Sequence, residues 1–97
     1  MKFYYEFDEF EYYALIVVDV DMNDLKSKPY KKAIDVYNEY VVDENIDYYK
    51  EPNLRLKEFA FEKFVRASQN ENQTIEEVVK LFDESYDTVL LIDSALI

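Results

Sequence analysis

The 97-residue sequence contains no glycine, cysteine, histidine or tryptophan. Without glycine it cannot form the glycine-rich loops that hold phosphates in nucleotide-binding proteins. Without cysteine it has neither disulfide bonds nor thiolate chemistry. Without histidine it lacks the side chain that most often serves as general base or metal ligand. We therefore expect a protein that is not an enzyme and that holds no metal and no cofactor.

Long apolar runs are also missing. The longest, over 13–18, is far shorter than the roughly 20 residues that a membrane-spanning helix needs. The N-terminal segment turns acidic before any apolar run begins, which is not the pattern of a signal peptide. We expect a cytoplasmic protein without membrane contact.

Apolar and acidic residues dominate what is present. Hydrophobic residues make up 49% of the chain and aromatic residues 18%, which predicts a folded core in a single domain over 1–97. The net charge of −11 repels nucleic acid and anionic membranes. The same charge favours a basic protein as partner.

Alternating apolar residues predict strands at both ends of the chain. The segment 3–7 alternates with period two, Asp8-Glu9 would form a tight turn, and alternation resumes over 10–21. The apolar run 14–18 predicts a strand covered on both faces, and the apolar run 89–92 predicts a buried strand. The strand residues expected deep in the core are Ile16, Val18, Leu90 and Ile92.

Helical spacing of apolar residues predicts three helices, at about 28–42, 54–68 and 75–84. Ser27 would cap the first helix. Thr74 and Glu77 form a capping box before the third, which should bury Ile75. Residues 43–53 would form either a short strand or an ordered loop. The fold class predicted is α+β: a small antiparallel or mixed sheet, made of the N-terminal hairpin and the C-terminal strand, packed with about three helices on one face.

Charge is unevenly distributed along the chain. The net charge is −6 over 1–25, +1 over 26–66 and −6 over 67–97. Since both acidic segments supply strands to the same sheet, we expect their carboxylates to converge on one negative side, where they could imitate nucleic acid phosphates. The partner-binding residues predicted on this basis are Glu6, Glu9, Glu11, Asp19, Asp21, Asp83, Glu84 and Asp87.

Two segments, 3–16 and 91–97, resemble small acidic proteins of Gram-positive phages and mobile elements. Some proteins of that kind are anti-CRISPR or other anti-defence inhibitors, and several of those mimic DNA. The resemblance implies an inhibitor that occludes a basic, nucleic-acid-binding surface of a host defence protein, and a location in the host cytoplasm if a phage encodes it. It contains no motif from which individual site residues could be transferred.

Two other functions remain open at this stage. The protein could be an interaction or assembly module, for example a homodimer, whose charge is incidental and whose exposed tyrosines make the contacts. Alternatively, Asp19, Asp21 and Asp93 could meet at strand ends and hold Mg²⁺ in a small carboxylate–metal enzyme. Both for the inhibitor and for the interaction module, we expect no direct contact with nucleic acid.

Overall fold

The computed structural model describes residues 1–21, 23, 28–42, 46–48, 50–68 and 73–92. Within these residues the sheet has the strand order β3-β1-β2-β4, and every neighbouring pair is antiparallel. The predicted α+β class is confirmed, with the N-terminal hairpin and the C-terminal strand in one sheet. The elements in chain order are β1 (Lys2–Glu6), β2 (Ala14–Asp19), α1 (Pro29–Tyr40), β3 (Asn53–Arg55), α2 (Lys57–Ser68), α3 (Ile75–Glu84) and β4 (Thr88–Ile92).

The connection between β1 and β2 runs over 7–13 and is not a tight turn at Asp8-Glu9. The Phe7 ring stacks on Tyr37 of α1 at 4.4 Å between centroids. The Tyr37 hydroxyl donates to the carbonyl oxygen of Tyr12 at 2.7 Å and accepts from its backbone N–H at 3.3 Å. These contacts fold the loop onto α1, and β2 consequently begins at Ala14 instead of residue 10.

Helices cover both faces of the sheet. Residues 14–18 of β2 are completely buried, and their side chains alternate between the two faces. Ile16 and Val18 pack on α1, whereas Leu15 and Val17 pack on α2 and α3. The cover on both faces that the apolar run 14–18 predicts is confirmed, whereas the expected packing of the helices on one face only is wrong.

The segment before α2 differs from the prediction. Residues 53–55 pair with β1 as β3, and the helix begins at Lys57 instead of residue 54. Leu54 and Leu56 are consequently exposed, by 58% and 75%. Their spacing of two fits a strand as well as a helix, so the apolar pattern could not separate the two.

The C-terminal strand is predicted well except at its end. Leu90 is buried, as are Ile16 and Val18, but Ile92 is 40% exposed. Ile92 pairs with Ala14, the first residue of β2, so it lies at the end of the sheet instead of its centre.

The predicted N-cap of α3 is confirmed, through the first of the two hydrogen bonds of a capping box. Thr74 lies at the N-cap, and its hydroxyl oxygen accepts the backbone N–H of Glu77 at 3.2 Å. Ile75, expected to be buried, is exposed. The N-cap of α1 is Lys28 with Pro29 in the first turn, and the predicted cap Ser27 lies outside the described residues. No helix in the described part of the chain is long and apolar enough to cross a membrane.

Candidate functional site

The eight predicted binding residues lie at opposite ends of the sheet. The pairing of Lys2 with Asp19 places Asp19 at one end of the hairpin. Glu6 ends β1 at the other end, where the loop carries Glu9 and Glu11. A strand of five residues is roughly 17 Å long. The fold therefore divides the predicted set into two groups and does not place them on one side.

Glu6 is a buried ion-pair centre, only 3% exposed. Arg55 Nε donates to its Oε1 at 2.8 Å, while Lys63 Nζ and the Tyr13 hydroxyl donate to its Oε2 at 2.6 and 2.7 Å. Burial by itself raises the pKa of this carboxyl, but the hydrogen bonds, with that from Lys63 the strongest, outweigh burial and lower the pKa below its ordinary value. Glu6 is therefore not available to a partner.

The second group, the strand-end cluster, is largely neutralised within the chain. It consists of Asp19, Asp21, Asp83, Glu84 and Asp87. The Met1 amine lies 2.9 Å from Asp19 and lowers the pKa of its carboxyl through a hydrogen bond. Lys32 lies 3.1 Å from Asp87, and Lys57 lies 3.9 Å from Asp83. Asp21 and Glu84 make no salt bridge with the described residues.

The cations of these pairs come mostly from the segment 26–66, which is nearly neutral in sequence. Arg55 and Lys63 hold Glu6, and Lys32 holds Asp87. Because these bases pair with acids of the terminal segments, several acids of their own segment make no salt bridge with the described residues. The net charges of −6, +1 and −6 describe the three segments along the chain. They do not describe three regions of the folded surface, because bases of the middle segment pair with acids of the other two.

Three exposed acids of the segment 26–66, Asp35, Glu39 and Asp47, line a cleft of about 410 Å³ beside α1. Asn38 on α1 holds the adjoining segment through two hydrogen bonds with the backbone of Ile46, at 2.9 and 3.3 Å. The Tyr48 hydroxyl donates to the Asp35 carboxylate, which raises the pKa of Tyr48. The residues lining the cleft are Asp35, Asn38, Glu39, Ile46, Asp47 and Tyr48.

The hairpin loop adds two carboxylates at the same helix. Its residue Tyr12 is bound to Tyr37 of α1, and Lys50 donates to the backbone oxygen of Glu9. We call the combined region the α1 acidic surface: Glu9, Glu11, Asp35, Glu39 and Asp47. All five are exposed, and none makes a salt bridge with the described residues.

The chemistry of the α1 acidic surface suits cationic side chains. Tyr48 and Tyr40 expose 43% and 57% of their surface beside these carboxylates. An arginine can pair with a carboxylate and stack on an aromatic ring at the same time. Lys31 of the chain itself already lies 5.8 Å from the centre of the Tyr48 ring. The sequence predicts Glu9 and Glu11 as binding residues but not Asp35, Glu39 and Asp47. Their charges are balanced by bases when the net charge is summed over 26–66.

The described residues contain no group of three or more carboxylates that could hold a metal ion. Asp93, the third residue of the magnesium alternative, lies outside them. Asp19, the first, is engaged by the Met1 amine. Tyr12 and Tyr13 are both partly buried.

The chain matches a protein-family model. The family model described as the YosH C-terminal domain matches residues 1–91, which is nearly the whole chain. No curated protein and no solved structure matches the chain significantly.

Proposed function

Because the chain belongs to the YosH C-terminal domain family, which accords with a small phage-type protein, we propose that it is a non-enzymatic domain that covers a basic surface of another protein. The partner is a nucleic-acid-binding defence protein of the host, and carboxylates of the domain take the place of phosphates. The observation that carries this proposal is the α1 acidic surface, whose five exposed carboxylates have no salt-bridge partner among the described residues.

Unpaired carboxylates are the ones that attract a partner most strongly. A charge already paired at about 3 Å projects little field, whereas unpaired charges of one sign raise the association rate with an oppositely charged surface. With a net charge of −11, the chain as a whole adds to this attraction. The exposed rings of Tyr40 and Tyr48 supply contact area of the kind that arginine-rich surfaces bind well.

The strand-end cluster is the weaker candidate. A basic partner would have to displace the Met1 amine from Asp19 and Lys32 from Asp87. The α1 acidic surface requires no such exchange at Glu39 or Asp47. We therefore assign binding to the α1 acidic surface and a structural role to most of the strand-end cluster.

The test compares two variants of equal charge. Glu39→Lys with Asp47→Lys changes the α1 acidic surface, and Glu76→Lys with Glu77→Lys makes the same charge change on α3, where both acids are exposed. A host partner is first captured on the wild-type protein and eluted with rising salt. Association rates of the three proteins are then measured at two salt concentrations.

We expect the first variant to associate at least about tenfold more slowly and the α3 variant to remain close to the wild type. Duplex DNA added to the captured complex should displace the wild-type protein, because both occupy the same basic surface. An equal loss of association rate in both variants would show that net charge alone, and not the α1 acidic surface, determines the rate. Absence of competition by DNA would contradict the phosphate-mimic role.

A further inference from the structure

The hairpin loop over 7–13 carries the carboxylates of Glu9 and Glu11. One backbone–backbone hydrogen bond closes it, from the Phe7 N–H to the Ala14 carbonyl oxygen at 2.8 Å. Both carboxylates belong to residues inside the closed loop. Their positions therefore depend on the contacts that hold the loop to the rest of the molecule.

Tyr37 of α1 holds the loop at three positions. Its hydroxyl donates to the carbonyl oxygen of Tyr12 at 2.7 Å and accepts from the Tyr12 N–H at 3.3 Å. Its ring stacks on Phe7 at 4.4 Å between centroids and lies 5.7 Å from the centre of the Phe10 ring. Tyr37 is only 1% exposed, so water competes little for these hydrogen bonds. One buried side chain thus contacts the loop before, between and after its two carboxylates.

Lys50 makes a further contact with the loop from an exposed position. Its ammonium group donates to the backbone oxygen of Glu9 and lies 4.7 Å from the centre of the Phe10 ring. An exposed lysine can exchange such a hydrogen bond with water at little cost in free energy. A backbone group held by a buried hydroxyl is replaced less easily, because water reaches it poorly. The conformation of the loop around Glu11 therefore depends mainly on Tyr37.

The Tyr37 hydroxyl is suited to this role because it stays protonated. Burial raises the pKa of Tyr37 and outweighs the opposite effect of the hydrogen bond with Tyr12, and the Glu11 carboxylate raises the pKa further. A protonated hydroxyl can donate to the carbonyl oxygen of Tyr12 and accept from its N–H at the same time. The effect of Glu11 on this pKa also shows that its charge lies near the side chain that holds the loop.

We propose that Tyr37 is a positioning residue of the α1 acidic surface: its hydroxyl fixes the hairpin loop against α1 and so determines where Glu9 and Glu11 lie relative to the acids of the cleft. This inference rests on the function proposed above. Tyr37 itself presents almost no surface to a partner. Carboxylates held by a fixed backbone meet cationic groups without first being ordered, and this lowers the entropic cost of binding.

The experiment uses Tyr37→Phe, which removes only the hydroxyl. The variant keeps the ring that stacks on Phe7, every carboxylate and the net charge of −11. Hydrogen exchange tests the loop without any partner: the Tyr12 amide, freed from its acceptor, should exchange at least about tenfold faster than in the wild type. Thr74→Ala is the matched control, because it also removes a side-chain hydroxyl that accepts a backbone N–H, but at the start of α3. Its Tyr12 amide should exchange as in the wild type.

Association with the host protein captured on the wild type then tests the positioning role. Tyr37→Phe should lower the association rate at least about threefold, and Thr74→Ala should associate like the wild type. Glu9→Gln with Glu11→Gln removes the charges that Tyr37 positions and should itself slow association. Adding Tyr37→Phe to this double variant should cause no further loss, since both changes act through the same groups.

Four results would overturn the positioning role. They are a Tyr12 amide that exchanges at the wild-type rate in Tyr37→Phe, an equal fall of the association rate in Thr74→Ala, a further loss when Tyr37→Phe is added to the glutamine variant, and an association rate that Tyr37→Phe leaves unchanged although Glu39→Lys with Asp47→Lys lowers it. If that last variant also associates like the wild type, the α1 acidic surface is not the binding site, and the proposed function fails together with this inference.

Discussion

Glu6 combines almost complete burial with a full negative charge. Three donors satisfy it: Arg55 from β3, Lys63 from α2 and Tyr13 from the hairpin loop. The network therefore ties three separate elements to the end of β1. Removing one partner of a buried ion pair leaves the others without compensation, and this usually costs more than the intact pair contributes. Here Lys63 and Arg55 are partly exposed, so water can solvate them if Glu6 is lost.

We predict that Glu6→Gln lowers the free energy of unfolding by about 1–3 kcal/mol at pH 7, the range for hydrogen bonds to a buried charged group. The folded pKa of Glu6 lies below its unfolded value. The stabilisation is then complete above the unfolded value and is lost as the pH falls through the folded pKa. Urea unfolding at pH 7 and at about pH 3.5 should show the difference between wild type and variant shrinking in acid.

A matched control exists in α2. Glu62 pairs with Arg66 at 2.6 Å, one helical turn away, but both side chains are largely exposed. Glu62→Gln should therefore change stability by less than about 0.5 kcal/mol. Equal losses of unfolding free energy in the two variants would show that burial of Glu6 adds nothing to the stability its ion pairs provide.

The burial of a single residue can be predicted from sequence only where it depends on local geometry. Alternation along β1 correctly separates Phe3 and Tyr5 from Tyr4, since strand geometry is local. The same alternation suggests a solvent-facing Glu6. Its burial depends on Arg55 and Lys63, which are 49 and 57 residues away along the chain. No local pattern contains that information.

Among the secondary-structure elements, α3 is predicted correctly from the sequence and β3 is missed. The bounds of α3 are predicted correctly, because Thr74 and Glu77 define its start through a local hydrogen bond. The short β3 is missed, because it exists only through its pairing with β1. Leu54 and Leu56 look like core residues in sequence, and the fold leaves them exposed. Local signals thus predict helices with caps, and tertiary pairing decides short edge strands.

The cap of α3 provides a test at this scale. We predict that Thr74→Ala lowers the free energy of unfolding by about 1 kcal/mol, since the first turn loses the side-chain acceptor of the Glu77 N–H. Thr74→Ser keeps an acceptor oxygen and should remain close to the wild type. Thermal unfolding of the three proteins, followed by circular dichroism, gives the comparison. A serine variant as unstable as the alanine variant would contradict the capping role.

At the scale of the whole molecule, excess negative charge opposes the compact state. The pairs at Glu6, Asp19 and Asp87 relieve part of this repulsion. The carboxylates of the α1 acidic surface have no such relief among the described residues. Their mutual repulsion is a cost in stability that accompanies the proposed binding function. The sequence predicts the total charge, but only the fold shows which carboxylates remain unpaired.

Salt should therefore stabilise the protein. Raising NaCl from about 0.01 M to 0.5 M shortens the screening length from about 30 Å to a few Å. Relief of about 1 kcal/mol of repulsion would raise Tm by about 4–8 °C in a domain of this size. The variant with Glu39→Lys and Asp47→Lys should gain less. A wild type whose Tm falls with salt would show instead that its ion pairs outweigh the repulsion.

The pairing of β2 with β4 also determines when the sheet can be completed. The hairpin of β1 and β2 can form once residue 19 has been made, but the second edge of β2 pairs with residues 88–92. During synthesis, Leu15 and Val17 therefore stay uncovered until β4 and the helices α2 and α3 have been made. Such distant pairing slows folding and leaves apolar strand surface open to misassembly in the meantime. Within 1–97, β2 is thus made well before β4, α2 and α3, and it is enclosed only after they have been made.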